Sequence, residues 1–161
     1  MRAIGIILAL TLAAAAAMAQ QSAVKTFASS ADVAELIAKA KRDHKEGQAN
    51  LVQRILSLAP YNANLEYRTA AAPASVHERE AEMFYVIEGS GTLVTGGKLV
   101  EEKRTNAENL SGSAVEGGNS QNVAKGDFIM VPENTPHWFN KVDGALILMS
   151  IHIPRPVAST R

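Results

Sequence analysis

The sequence predicts an all-β sandwich or small barrel that follows a single N-terminal helix. From residue 50 onward, short stretches that alternate polar and apolar side chains are separated by turn signals, a pattern typical of antiparallel β folds. Before residue 50, one segment carries its apolar residues at helical spacing. The chain contains no cysteine, so we expect the core to stabilise this fold without disulfides.

Residues 1–19 have the pattern of a secretory signal peptide. Arg2 provides a positive start, residues 3–18 are almost wholly apolar, and Ala17-Met18-Ala19 forms a small-residue cleavage signal. A membrane anchor is the alternative, but the apolar stretch is short for a span of about 20 residues. The pattern therefore predicts an exported protein, periplasmic or extracellular, that is free of the membrane after cleavage.

The remainder of the chain is the size of one domain. Removing residues 1–19 from the 161 leaves 142 residues, in which 15 basic groups face 16 acidic groups, so the net charge is −1. This near-neutral balance gives no support for nucleic acid or an anionic membrane as partner. We predict a signal peptide over 1–19, a helical segment over 20–49, a barrel over 50–153 and a tail over 154–161.

The helix is predicted from its start signal and its apolar stripe. Ser29 and Asp32 have the spacing of a capping box, and Gly47 is placed to close the helix after a basic last turn. The stripe at i, i+3, i+4 and i+7 consists of Val33, Leu36, Ile37 and Ala40. We expect this face to pack on the barrel or on a partner subunit.

The strands are predicted from alternation and from turn dipeptides. Gly96-Gly97 signals a hairpin, and Asp143-Gly144 signals a tight turn between the last two predicted strands. The predicted strands cover residues 51–58, 64–69, 82–88, 92–95, 98–101, 128–131, 137–142 and 145–153. Residues 103–122 are rich in Asn, Ser and Gly and are expected to form a solvated loop, with a short strand at Ala114-Val115. Exposed sheet edges make a homodimer plausible.

Three side chains are candidate metal ligands. His77 and Glu82 precede an apolar run, and His137 starts a later predicted strand. Two imidazoles and one carboxylate can occupy one face of a divalent ion and leave the other face open. Strand alternation places Phe84 on the face of Glu82 and Phe139 on the face of His137, which describes a mostly apolar pocket for a small molecule.

Residues 75–89 and 126–140 resemble the two motifs of the cupins, which are double-stranded β-helix (jelly-roll) barrels. Four residues separate His77 from Glu82, and six residues lead from Glu82 to Gly89. In the second motif the matching residues are Gly126, Pro132 and His137, with Asn134 in place of the usual Gly and Asn140 one residue early. The resemblance spans about residues 50–153 and implies the jelly-roll fold and a metal held by His77, Glu82 and His137.

The first motif departs from the family because it has one histidine where two are usual. If His77 is the second histidine, Ser75 occupies the place of the first; if His77 is the first, Arg79 occupies the place of the second. Either alternative removes one of the four usual ligands. The identity of the metal, among Fe, Mn, Ni and Zn, is not set by nitrogen and oxygen ligands.

Two functions follow from this resemblance. One is a metal-dependent enzyme, such as a dioxygenase, isomerase or lyase, in which Arg68 or Arg79 orients an anionic substrate and Phe84 and Phe139 line the pocket. Phe84 occupies the position of a tyrosine found in some lyases of the family, which counts against that chemistry. The other function is non-catalytic binding of a small ligand. His152 is interpreted as a structural or surface residue, and His44 as solvated.

Overall fold

The computed structural model describes residues 23–155. One helix, α1, and thirteen strands, β1 to β13, make up this part of the chain. Their bounds are α1 Ser30–Asp43, β1 Asn50–Leu58, β2 Tyr61–Arg68, β3 Ala74–His77, β4 Glu80–Glu88, β5 Ser90–Thr95, β6 Lys98–Val100, β7 Lys103–Arg104, β8 Asn109–Gly112, β9 Ala114–Glu116, β10 Asn119–Ala124, β11 Phe128–Val131, β12 His137–Val142 and β13 Leu146–Pro154. The predicted signal peptide and most of the predicted tail lie outside the described residues.

Two antiparallel sheets enclose the core, which confirms the predicted all-β jelly-roll class. The first sheet has the strand order β1-β2-β13-β4-β11, and the second has the order β10-β5-β12-β3-β8-β7. Both sheets contribute apolar side chains to one buried cluster of Phe84, Val86, Leu93, Val123, Val131, Phe139, Leu146 and Leu148. The long crossovers in these strand orders bring the two sequence motifs together at one end of the space between the sheets.

Helix α1 covers the outer face of the first sheet. Its predicted capping box is confirmed, because the Ser29 side chain accepts from the Asp32 backbone and the Asp32 side chain accepts from the Ser29 backbone. The apolar stripe packs with Ile55, Leu65 and Ile147 on the sheet. A largely apolar cavity of about 540 Å³ lies beside the helix on this outer face, away from the predicted ligands.

The helix end differs from the prediction. The helix closes at Asp43 rather than at Gly47, and His44 is its C-cap. His44 is not simply solvated, since its Nε2 atom lies 2.6 Å from the Gln48 carbonyl and its ring packs edge-on against Tyr67. No helix within residues 23–155 is both long and apolar enough to cross a membrane.

The prediction of a solvated loop over residues 103–122 is wrong. This segment contains β7, β8, β9 and β10, of which β8 pairs with β3 and β10 pairs with β5. These strands are two to six residues long and mostly polar, so they show little of the polar–apolar alternation that predicts a strand. Strands β7, β8 and β10 therefore complete the second sheet. Strand β9 confirms the predicted short strand at Ala114-Val115 and pairs with β6 in a separate two-stranded sheet. The homodimer proposed from sheet edges stays a prediction.

Candidate metal centre

Four strands bring the candidate ligands to one end of the barrel interior. Strands β4 and β13 pair so that Glu82 lies directly opposite His152. His77 ends β3 and His137 begins β12, and these two strands are neighbours in the facing sheet. Directly opposed residues of an antiparallel pair point to the same face, so all four side chains face the space between the sheets.

Glu82 is the centre of the cluster. Its Oε2 atom lies 3.3 Å from His77 Nε2 and 3.1 Å from His137 Nε2, and its Oε1 atom lies 3.3 Å from His152 Nε2. The residue is only 4% exposed. Three of the four histidines of the chain thus present the same ring nitrogen to one buried carboxylate.

The opposite ring nitrogens all face acceptors. His77 Nδ1 lies 2.7 Å from Asn109 Oδ1. His137 Nδ1 lies 3.1 Å from the Thr135 carbonyl oxygen, and His152 Nδ1 lies 2.9 Å from Glu80 Oε2. A carbonyl or carboxylate oxygen can only accept, so each Nδ1 carries a proton and donates. In the neutral imidazole this leaves the Nε2 lone pair directed at Glu82.

This donor set fits a divalent metal ion. Three Nε2 lone pairs facing the oxygens of a buried carboxylate repel one another unless a cation lies between them. Imidazole nitrogen and carboxylate oxygen are the ligands that Fe, Mn, Ni, Zn and similar ions accept. The ligand atoms of His77, Glu82 and His152 all lie within 4.8 Å of one another, and His137 lies 3.1 Å from Glu82. Protons are the alternative cations.

The pKa values of the cluster show the same need for positive charge. Burial by itself would raise the pKa of Glu82, but hydrogen bonds from His137, His152 and His77 hold it well below its usual range. The hydrogen bond with Glu82 raises the pKa of His152 to about 9, against the opposing effect of burial. Burial lowers the pKa of His77, and its bonds to Glu82 and Asn109 outweigh that effect, so the net shift is upward.

The structure brings together the three predicted ligands and adds one that the sequence interpretation missed. The sequence predicts a structural or surface role for His152, yet this residue contacts both Glu82 and Glu80. Ser75 pairs with His137 in the sheet, whereas the Arg79 side chain is 74% exposed and lies 3.9 Å from Glu108. Ser75 therefore holds the place of the absent histidine, and a histidine from the last strand joins the cluster instead.

The signal for His152 was present but weak. It continues the period-2 series Leu146, Leu148 and Ser150, which are all buried. That series places His152 on the inner face of β13, but only the pairing with β4, seventy residues earlier in the chain, puts it beside Glu82.

The residues predicted to bind substrate are less closely associated with the cluster. The Phe84 ring lies 6.1 Å from the His137 ring and 5.2 Å from the Phe139 ring, and both phenylalanines are almost fully buried beneath the cluster. Arg68 lies six residues along β2 from the residue opposite His152, a separation of about 20 Å at strand rise. As substrate-binding residues, Arg68, Arg79, Phe84 and Phe139 stay predictions.

The second motif positions its histidine through a tight turn. Asn134, which replaces the usual glycine, has a φ of 54°, a left-handed conformation that asparagine tolerates better than most residues. Its backbone N–H donates to the His77 carbonyl over 2.7 Å, which ties the two motifs together. In the first motif, Gly89 has a φ of 87°, and a Cβ there would lie 1.9 Å from the Ala145 carbonyl oxygen. Only glycine fits that position.

The two-sheet barrel and the His/Glu cluster at one end of it place this protein among the small jelly-roll β-barrels. A comparison with family models identifies the family. The model of the family described as Cupin matches residues 47–156. The chain belongs to the cupin family. No curated protein sequence matches it significantly.

Solved structures share the fold at low sequence identity. A protein from Bacillus halodurans is 16% identical, with 81% of this chain and 83% of that chain covered and a TM-score of 0.52. A candidate sugar phosphate isomerase from Acidithiobacillus ferrooxidans is 17% identical over 79% of this chain and 74% of that chain, with a TM-score of 0.52. The iron(II) form of HppE with substrate is 13% identical over 68% of this chain, with a TM-score of 0.51. The match spans about half of HppE, 53% of its chain.

Proposed function

We propose that the protein binds one divalent metal ion through His77, Glu82, His137 and His152, and through it a small organic molecule. One observation carries this proposal: three Nε2 atoms face one buried carboxylate while each Nδ1 atom faces an acceptor. Histidines that ligate metals are held in this way, by a hydrogen bond from the opposite ring nitrogen. Among the proteins of similar fold, HppE is described with iron(II) and with cobalt(II).

The charge of the donor set favours a ligand that binds through oxygen atoms. Glu82 is the one anionic donor, so a divalent ion held by it and three neutral imidazoles keeps a net charge of +1. When bound, such an ion supplies Lewis acidity that polarises a carbonyl or carboxylate oxygen. Phe84 closes the barrel beneath the cluster and keeps water out on that side, so a ligand approaches from the rim.

Metal analysis of the purified mature protein tests this proposal. After supplementation with iron, manganese, nickel or zinc, we expect about one equivalent of metal in the wild type, and loss of most of it in His77→Ala and His137→Ala because each removes a ligand. His44→Ala is the matched control, since His44 caps α1 far from the cluster. Circular dichroism must show that the variants keep the β fold. Metal retained by both site variants would contradict the proposal.

A second candidate function is non-catalytic binding of the same kind of ligand. It is favoured by one observation: the titratable side chains in contact with Glu82 within residues 23–155 are the proposed ligands themselves, and Glu80 is engaged by His152. No separate general base is thus free among these groups. Ligand binding without turnover by the metal-loaded protein would support this alternative, and turnover that depends on metal would support an enzyme.

Export is also part of the proposal. It is supported by the pattern of residues 1–19, with Arg2, an apolar stretch and Ala17-Met18-Ala19 before Gln20. Expression of the full chain in a bacterial host, followed by fractionation and N-terminal sequencing, tests it. We expect a periplasmic product that begins at Gln20. An uncleaved product in the membrane fraction would indicate an anchor instead.

A further inference from the structure

A row of polar side chains lies directly beside the proposed metal ligands on the inner face of the first sheet. The register of β1, β2, β13 and β4 places Arg54, Asn64, Ser150 and Phe84 side by side. The neighbouring row, one two-residue step along the strands, contains Asn62, His152 and Glu82. Directly opposed residues share a face, so the polar row faces the same interior as the cluster.

This row runs from the interior to solvent. Ser150 is fully buried, Asn64 is half-buried and Arg54 is exposed. Val52, two residues before Arg54 on the same face of β1, is 52% exposed. The inner face of β1 is therefore open, and a bulge in the pairing immediately after Arg54 changes the direction of the strand there. The row thus leads from the exposed edge strand β1 to the buried residues next to His152, and Arg54 lies at its solvent end.

The polar groups of this row have unused hydrogen-bonding capacity. Within residues 23–155, the side chains of Arg54 and Asn64 make no hydrogen bond or ion pair, and the buried Ser150 hydroxyl has no partner. The Arg54 guanidinium and the Asn64 amide can therefore donate to an external acceptor. The fully buried Ser150 hydroxyl costs free energy as long as it has no partner.

Arg54 differs from every other arginine of the described chain. The other five arginines within residues 23–155 each pair with a carboxylate: Arg42 with Asp43, Arg68 with Glu66, Arg79 with Glu108, Arg104 with Glu78 and Arg155 with Glu133. The guanidinium of Arg54 is the one left free for an external anion, and its planar fork suits a carboxylate or phosphate.

We propose that Arg54 binds the anionic end of a small molecule whose other end chelates the metal. This inference rests on the proposed metal site. Two strand spacings and one two-residue step separate Arg54 from His152, which places their Cα atoms about 12 Å apart. Both side chains lie on the same face of the sheet, so a molecule of about five carbon atoms can bridge their ends. Asn64 lies between the two ends and can donate to the middle of the ligand.

Matched probes on the metal-loaded protein test this proposal. 2-Oxoglutarate and 2-oxopentanoate have the same chelating end and the same number of carbon atoms, but only 2-oxoglutarate has a second carboxylate. We expect the wild type to prefer 2-oxoglutarate in calorimetric titration. In Arg54→Gln we expect its Kd to rise about tenfold, while the Kd of 2-oxopentanoate changes less than about twofold. Arg79→Gln tests the other arginine that the sequence assigns to an anionic substrate. Arg42→Gln, which removes an exposed arginine from helix α1, is the control and should change neither Kd by more than about twofold.

The results distinguish binding of the anionic end by Arg54 from binding by another residue and from failure of the metal site. Equal affinities for the two probes in the wild type, or equal losses for both in Arg54→Gln, would overturn the assignment of Arg54 and leave the metal site standing. A selective loss in Arg79→Gln would assign the anionic end to that residue instead. Metal analysis of the same samples tests the metal site itself. Absence of metal in the wild type would contradict the proposed function together with this inference.

Discussion

Two buried carboxylates lie at opposite ends of the barrel interior and are stabilised in different ways. Glu66 is 5% exposed, and its Oε2 atom accepts from Arg68 Nε at 2.9 Å and from Asn50 Nδ2 at 3.2 Å. The Arg68 guanidinium also stacks 4.7 Å above the centre of the Phe139 ring. Glu82 is buried to the same degree, but its neighbours are three histidines.

The two carboxylates differ in whether the positive charge beside them is permanent. Arginine is always protonated, so Glu66 has a fixed counterion and its end of the barrel is closed by an internal ion pair. Histidine is cationic only when it binds a proton or, in effect, when it ligates a metal. The end at Glu82 therefore needs an exchangeable cation, and that need makes it the functional end. The following predictions test this contrast, from the largest expected effect to the smallest.

Removing the fixed cation should destabilise the fold strongly. In Arg68→Ala, Glu66 stays buried without its counterion, and we expect a loss of about 3–5 kcal/mol in the free energy of unfolding. Urea denaturation of the metal-free protein measures it. The double variant Glu66→Leu, Arg68→Met is the control and should recover most of the loss, since it leaves no buried charge. A single variant as stable as the wild type would show that the ion pair does not hold this end.

Weakening the hydrogen bond that positions His152, at the Glu82 end of the barrel, should weaken metal binding with little effect on folding. Glu80 accepts from His152 Nδ1 at 2.9 Å, so in Glu80→Gln we expect metal affinity to fall by about 10- to 100-fold. Glu78→Gln is the matched control, because Glu78 pairs with Arg104 on the surface. Competition with a chelator of known affinity measures both. An unchanged affinity in Glu80→Gln would mean that Glu80 does not position His152.

The free energy of unfolding should depend on pH differently in the metal-free and the metal-loaded protein. The pKa of His152 is raised from 6.5 to about 9, so in the metal-free protein its contribution is complete below about pH 6.5 and is lost as the pH rises to 9. The pKa of Glu82 is lowered from 4.5, so its contribution is complete above about pH 4.5 and is lost in acid.

We therefore expect the metal-free protein to be most stable between about pH 4.5 and 6.5 and to lose on the order of 1 kcal/mol by pH 9, because solvent partly screens the His152 pair. Metal binding releases protons, so the stabilisation by metal should increase over the same range. Urea denaturation at pH 6 and pH 9 measures both trends. Equal metal-free stability at the two values would contradict the proton-bound state of the cluster.

Local signals in the sequence were enough for the class of fold and for three members of the cluster. The capping box and the spacing from Glu82 to Gly89 depend on neighbours along the chain, and the structure has them as predicted. The predicted hairpin at Gly96-Gly97 is wrong, because β5 pairs with β10 and β12 whereas β6 pairs with β9. His152 and Asn109 could not be found in this way, because their places depend on strand pairings between distant segments. The same limit concealed the strands of residues 103–122, whose order comes from their partners β3 and β5.

The pairing of Arg68 with Glu66 was within reach of the sequence. The two residues are at i and i+2 on one predicted strand and therefore share a face. The sequence interpretation assigns Arg68 to an anionic substrate, whereas the structure places Glu66 Oε2 2.6 Å from Arg68 Nη2.

X-ray absorption spectroscopy of the metal-loaded protein tests the central claim most directly, because it counts the imidazoles bound to the ion. We predict three in the wild type, two in His152→Ala and three in His44→Ala. Fewer than three imidazoles in the wild type, or an unchanged count in His152→Ala, would contradict a metal site built from His77, Glu82, His137 and His152.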